Sequence, residues 1–88
     1  MQTFILGSNP LAPKSSGTWI VGLLHPAIIE VVHGTGTSQV KNPLDIFTWQ
    51  NGGQSYTLKL YFIQDPARSR RCIIDAKNWY EAFLNKKI

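Results

Sequence analysis

Alternation of apolar and polar positions is clearest between residues 44 and 63. Leu44 to Trp49 alternates with a period of two, which is typical of a strand with one buried face. Asn51-Gly52-Gly53 follows, and Asn-Gly readily adopts the positive φ angles of a tight hairpin turn. The second strand of the predicted hairpin has two different faces. The face expected to meet the core consists of Tyr56, Leu58, Leu60 and Phe62. The face suited to solvent or ligand consists of Thr57, Lys59, Tyr61 and Ile63.

The N-terminal half predicts further strands separated by turn formers. Phe4 to Leu6 is a short apolar run, and residues 8–17 are rich in Ser and Pro, which predicts a loop or mobile arm. Residues 18–24 and 27–32 are rich in β-branched and apolar side chains, which favours strand. Gly22 and Pro26 lie within this region. It therefore forms either two strands, joined by a bend or bulge at Gly22 or Pro26, or one long bent strand.

The C-terminal end predicts a short strand followed by a helix. Residues 72–74 form an apolar β-favouring run, and Asp75 is a favourable N-cap. The helix would run to about Lys87, with Lys86 and Lys87 where the helix dipole favours cations. Its apolar stripe consists of Ala76, Trp79, Tyr80 and Phe83. We therefore predict an α+β fold, with a bent antiparallel sheet of about five strands followed by one C-terminal helix.

Composition limits the classes of protein to which the chain can belong. Its 88 residues predict a single domain over residues 1–88, and 43% hydrophobic content predicts a packed core. Only 16% of residues are charged, which leaves surface for a contact face or a homodimer. The single cysteine, Cys72, excludes an internal disulfide, and the start of the chain lacks the pattern of a signal peptide. No apolar run has the length of a membrane span, so we expect a cytoplasmic protein without membrane contact.

Residues that carry chemistry are few and widely separated. His25 and His33 lack a third ligand for a metal ion, and Cys72 lacks an adjacent base. Residues 34–37 resemble a phosphate loop but lack its lysine. The sequence therefore predicts no catalytic residue, no metal site and no cofactor, and favours a protein that is not an enzyme.

The combination of positive charge and aromatic residues suggests a binding function. The net charge is +4 and the isoelectric point is near 9.5. Proteins that bind single strands combine a basic track for phosphates with rings on which bases stack. We therefore predict binding of single-stranded DNA or RNA by a basic, aromatic sheet face and an adjacent basic loop. The predicted contact residues are Lys59, Tyr61, Arg68, Arg70, Arg71, Trp19 and Trp49.

Two other functions agree with the same residues. Low charge and three tryptophans also favour a protein–protein interaction module, such as a regulator, an inhibitor or a subunit of a larger complex, and the positive net charge would suit an acidic partner. A toxin-type ribonuclease would use the three arginines with one histidine. Exposure of Trp19 and Trp49 on the face of Lys59 and Tyr61 would favour nucleic acid, whereas their burial would leave only the basic loop.

The segment from Arg71 to Trp79 resembles the strand-to-helix junction of the positive-cofactor transcriptional coactivators. In that family an apolar strand enters an Asn or Asp cap, and a tryptophan follows four residues later, as Asp75 and Trp79 do here. The resemblance implies a curved antiparallel sheet, a C-terminal helix and dimers that bind single-stranded DNA. The Whirly proteins share this combination of sheet, helix and ligand.

Overall fold

The computed structural model describes residues 3–11 and 17–86, which form an α+β fold. The elements in chain order are β1 (Phe4–Gly7), β2 (Thr18–Gly22), β3 (Ala27–His33), β4 (Asp45–Asn51), β5 (Gln54–Ile63), a 3₁₀ turn (Pro66–Arg68) and α1 (Ser69–Asn85). The five strands form one sheet in the order β1-β2-β3-β5-β4, and all neighbouring strands are antiparallel. The predicted fold class, an antiparallel sheet with one C-terminal helix, is confirmed.

The region between residues 18 and 33 forms two strands. β2 ends at Gly22 and β3 begins at Ala27, with a turn at residues 23–26 between them. Within the predicted arm, residues 8–11 and Gly17 belong to neither strand nor helix, and residues 12–16 lie outside the described residues. The predicted helix end at Lys87 also lies outside them, and α1 ends at Asn85.

The hairpin between β4 and β5 forms as the Asn-Gly signal indicates. Asn51 pairs with Gln54 across a two-residue turn. Gly52 and Gly53 have φ angles of 60° and 79°, and an L side chain adopts such angles only with strain. The two glycines therefore set the register of the hairpin.

A β-bulge at Tyr61 reverses the predicted faces at the end of β5. Ile29 pairs with Leu60 but Ile28 pairs with Phe62, so Tyr61 is the extra residue. Beyond the bulge the alternation shifts by one position. Phe62 is consequently 37% exposed and Ile63 only 5% exposed. The prediction that Phe62 faces the core and Ile63 the solvent is wrong for this reason.

The strand predicted at residues 72–74 is wrong, because these residues lie inside α1. The helical segment starts earlier, where the Asp65 carboxylate accepts a hydrogen bond from the Ala67 amide and Pro66 occupies the first turn. Cys72, Ile73 and their neighbours are buried on the helix face that meets the sheet. This burial outweighs the β propensity of the isolated run.

Asp75 is therefore not an N-cap. It lies in the second turn of α1, with its carboxylate 3.8 Å from the guanidinium of Arg71. The four-residue spacing between Asp75 and Trp79 is one turn within a continuous helix. The segment that carries the family resemblance thus has a different local structure from a strand-to-cap junction.

The core lies between α1 and one face of the sheet. Its main cluster joins residues of all strands except β4 to Cys72, Ile73, Ala76 and Tyr80 of the helix. β4 adds the partly buried rings of Phe47 and Trp49. The opposite face, which we call the helix-free face, carries a smaller buried cluster of Trp19, Ile28 and Val40.

Candidate interaction surfaces

Trp19 lies on the helix-free face but is only 1% exposed. Its ring packs with Ile28 and with Val40, which belongs to the connection between β3 and β4. Its indole also meets the Tyr61 ring edge-on, with 5.8 Å between centroids. Trp19 and Tyr61 thus lie together, but Trp19 is covered and presents no open face for a base.

Three consecutive residues, Ser38 to Val40, cover this part of the sheet, and we call them the strap. The strap is held by Glu30, whose side chain projects from β3 and is 4% exposed. One carboxylate oxygen accepts from the Ser38 hydroxyl at 2.7 Å and from the Val40 amide at 3.3 Å, and the other accepts from the Gln39 amide at 2.8 Å. A buried carboxylate with several donors is well satisfied, so Glu30 fixes the strap over Trp19.

Lys59 and Tyr61 occupy the helix-free face, as their positions in β5 predict. The Lys59 ammonium donates to the Val40 carbonyl at 3.4 Å and the side chain is partly buried. Tyr61 is 39% exposed beside the strap. Tyr61 is thus the most accessible of the aromatic residues proposed for stacking on this face.

Trp49 lies on the opposite face, between the sheet and α1. Its ring stacks on Tyr56 at 5.3 Å and meets Tyr80 edge-on at 6.3 Å. The Lys77 ammonium of α1 lies 5.9 Å from the centre of the same ring. The structure therefore separates Trp49 from Lys59 and Tyr61 by the thickness of the sheet.

The three arginines lie at the start of the helical segment, and each has a carboxylate nearby. The three pairs are Arg68 with Asp65 at 3.4 Å, Arg70 with Asp45 at 3.0 Å, and Arg71 with Asp75 at 3.8 Å. Their side chains are nevertheless 51%, 59% and 82% exposed. Ion pairs this exposed contribute about 0–1 kcal/mol and exchange readily with other anions.

The residues weighed for catalysis lie in separate places. The His33 ring lies 3.4 Å from the hydroxyl of Tyr80. Arg70 and Tyr80 are ten positions apart in α1, or about 15 Å along the helix, so His33 lies far from the arginines. Burial, and secondarily Tyr56, raises the pKa of Tyr80 above its usual value. Cys72 is 4% exposed in the core. Within residues 3–11 and 17–86, no group of three or more His, Cys, Asp or Glu side chains is arranged to hold a metal ion.

A row of apolar side chains crosses four strands of the helix-free face, and we call it the apolar row. Ile5 pairs with Val21, Val21 with Ile28, and Ile28 with Phe62. Ile5 is 46% exposed and Phe62 37% exposed, while Ile28 is buried at the centre. Sequence alternation missed this row because the bulge at Tyr61 moves Phe62 onto it.

The turn between β2 and β3 extends the apolar row at one end of the sheet. Leu23 and Leu24 are 51% and 58% exposed. The Leu23 amide donates to Thr3 and the Pro26 carbonyl accepts from Gln64, so the turn is bonded to both neighbouring strand ends. The leucines are therefore presented from an ordered turn next to the row.

Comparisons with protein-family models, with curated proteins and with solved structures found no match. Among the described residues, no helix is long and apolar enough to cross a membrane.

Proposed function

We propose that this chain is a non-enzymatic protein-interaction module that binds a protein partner through the helix-free face. The observation that carries the proposal is the apolar row from Ile5 to Phe62, with its exposed ends and the adjacent leucines of the turn. Contiguous exposed apolar side chains on a small protein commonly mark an interaction site.

The chemistry of the row favours a protein over a nucleic acid as its ligand. None of its four side chains is charged, and the nearest cation along β5, Lys59, is bound to the Val40 carbonyl. A phosphate backbone requires accessible cations, whereas an apolar surface of another protein gains by burial next to Phe62 and Ile5. We therefore propose an apolar protein surface as the occupant, in a regulator or a subunit of a complex.

The test places a photo-crosslinking amino acid at Phe62 in the native host. The partner is identified by mass spectrometry, purified, and titrated against wild type and two variants. We expect Phe62→Ser to weaken binding at least about tenfold, or about 1.4 kcal/mol. Leu11→Ser is the matched control, because Leu11 is 57% exposed and lies outside the apolar row.

Three outcomes would overturn the proposal. One is equal binding by Phe62→Ser and wild type, and another is equal loss in Leu11→Ser. The third is crosslinking at residue 62 that yields only a second copy of this chain or only nucleic acid.

Single-stranded nucleic-acid binding is the second candidate, and one observation favours it. Arg68, Arg70 and Arg71 cluster at the start of the helical segment, where the helix dipole disfavours cations, and all three are exposed. These arginines would hold phosphates at the outer edge of β4, where Arg70 lies beside Asp45, whereas Lys59 and Tyr61 lie on the helix-free face. Trp19 would join only after displacement of the strap, and Trp49 would remain on the other face.

A fluorescence titration with short single strands at two salt concentrations tests this second candidate. We expect binding that weakens with salt and that is lost in the double variant Arg70→Ala/Arg71→Ala but kept in Lys86→Ala, a control at the other end of α1. Absence of binding at micromolar protein, or binding insensitive to salt, would exclude it.

The cellular setting that we propose is the reducing cytoplasm. It is supported by the presence of one cysteine, Cys72, which is buried in the core.

A ribonuclease has less support, because the distance along α1 separates His33 from the arginines that it would need.

A further inference from the structure

β4 is an edge strand, and its backbone groups on one side face away from the sheet. Asn51 and Gln54 flank a two-residue turn, so they exchange backbone hydrogen bonds, and this pattern recurs at every second residue. The intervening residues of β4 direct their N–H and C=O groups outward. These residues are Ile46, Thr48 and Gln50.

Side chains close one end of this edge. The Ile46 amide donates to Asp45 Oδ1 at 2.8 Å, and Arg70 Nη1 donates to the Ile46 carbonyl at 3.3 Å. Both outward backbone groups of Ile46 are therefore capped. The same Arg70 nitrogen also lies 3.0 Å from Asp45 Oδ1, which links the two capping side chains. The outward groups of Thr48 and Gln50 form the open part of the edge.

We propose that a second copy of this chain pairs with this open edge, β4 against β4, about a two-fold axis at Trp49. In that register Thr48 of each copy lies opposite Gln50 of the other, and their outward backbone groups exchange hydrogen bonds. The capped residue Ile46 lies beyond these pairs. The Asp45–Arg70 pair thus remains intact and limits how far the strands overlap.

The charges of β4 suit pairing with itself. Asp45 is the only ionisable residue of the strand. In the proposed register it lies opposite Gly53 of the second copy, so the two carboxylates are kept apart. Self-complementarity of this kind is required only when a strand pairs with its own copy. Its presence in β4 therefore favours a second copy of this chain as the occupant.

Sedimentation equilibrium tests the proposal on the full chain, over a concentration series that ends at the solubility limit. We expect a dimer for wild type and at least about tenfold weaker association for Thr48→Pro. Proline removes the outward N–H of Thr48 without removing a bond to β5, so the monomer fold is retained. Thr48→Ala is the control, because it keeps the N–H and should dimerise as wild type does.

Disulfide trapping tests the register and remains decisive if Thr48→Pro fails to fold. Thr48→Cys and Gln50→Cys chains are mixed and oxidised. We expect the mixed dimer to be favoured over either homodimer, since opposite Cα atoms of such a pair are about 5.5 Å apart. A monomeric wild type, or a preference for the Thr48→Cys homodimer, would overturn the proposal. Unchanged dimerisation of a folded Thr48→Pro would overturn it too.

This proposal and the protein-partner proposal fail separately. The apolar row lies on β1, β2, β3 and β5, whereas the proposed dimer uses the outer edge of β4. Phe62→Ser should therefore leave the sedimentation result unchanged.

Discussion

The hydroxyl of Ser38 donates a 2.7 Å hydrogen bond to the buried carboxylate of Glu30, eight residues earlier in the chain. This bond joins the connection after β3 back to the middle of β3 itself. It closes the helix-free face over Trp19, so the burial of that tryptophan depends on a polar contact.

Glu30→Gln should therefore loosen the strap. The amide has one acceptor oxygen in place of two, so at least one donor among Ser38, Gln39 and Val40 loses its hydrogen bond to residue 30. We expect a loss of about 1–3 kcal/mol in the free energy of unfolding and greater quenching of tryptophan fluorescence by acrylamide. Glu81→Gln on the surface of α1 is the control, and an equal loss in both variants would contradict the role of Glu30.

Trp19→Ala should be among the most destabilising single substitutions. The ring is 1% exposed and packs with Ile28 and Val40, so its removal leaves a cavity. We expect the free energy of unfolding to fall by about 3–5 kcal/mol. Urea denaturation measures the change. Leu24→Ala, at a residue 58% exposed, should stay within about 0.5 kcal/mol of wild type. A Trp19→Ala protein as stable as wild type would show that the ring is not part of a packed cluster.

The start of the helical segment can be located by comparing two aspartates. Asp65→Ala removes the side chain that caps the Ala67 amide and should cost about 0.5–2 kcal/mol. Asp75→Ala removes only an exposed pair with Arg71 and should cost at most about 0.5 kcal/mol. Thermal unfolding followed by circular dichroism measures both. The reverse order of the two losses would favour a helix that begins at Asp75.

Alkaline pH should destabilise the fold partly through Tyr80. Burial raises the pKa of the folded-state phenol above its usual value of 10.0, so the unfolded chain ionises first as the pH rises. The stabilisation that neutral Tyr80 contributes to the folded state is complete below about pH 10 and is lost as the pH rises through the folded-state pKa. Tyr80→Phe should make the free energy of unfolding fall less steeply above pH 10, as measured by urea titrations. An unchanged slope would contradict the shift.

Local signals in the sequence predict the sheet well. The alternation of β4 and the glycines of its turn specify a hairpin whose register depends on neighbouring residues only. The bulge at Tyr61 could not be read in this way, because it arises from pairing with β3, more than 30 residues earlier. A single irregular residue then exchanged the environments of Phe62 and Ile63.

The C-terminal error has a similar cause. Residues 72–74 favour a strand in isolation, but Cys72 and Ile73 share the buried face of α1 with Ala76 and Tyr80. The helical segment begins with the Asp65 cap and Pro66, which lie before the predicted strand and outside the predicted helix. The candidate surface was harder still to predict, because the covering of Trp19 depends on Glu30, whose carboxylate gave no signal in the strand pattern.

The strand order also bears on how fast the chain folds. β1, β2 and β3 form a meander, and β4 and β5 form a hairpin, so both units assemble from local contacts. Among the strands of residues 3–11 and 17–86, the pairing of β3 with β5 is the one between sequence-distant strands, and it requires closure of the chain segment that contains the strap. We expect this docking step to limit the folding rate. Contacts between Glu30 and the strap complete after it, and they should mainly slow unfolding.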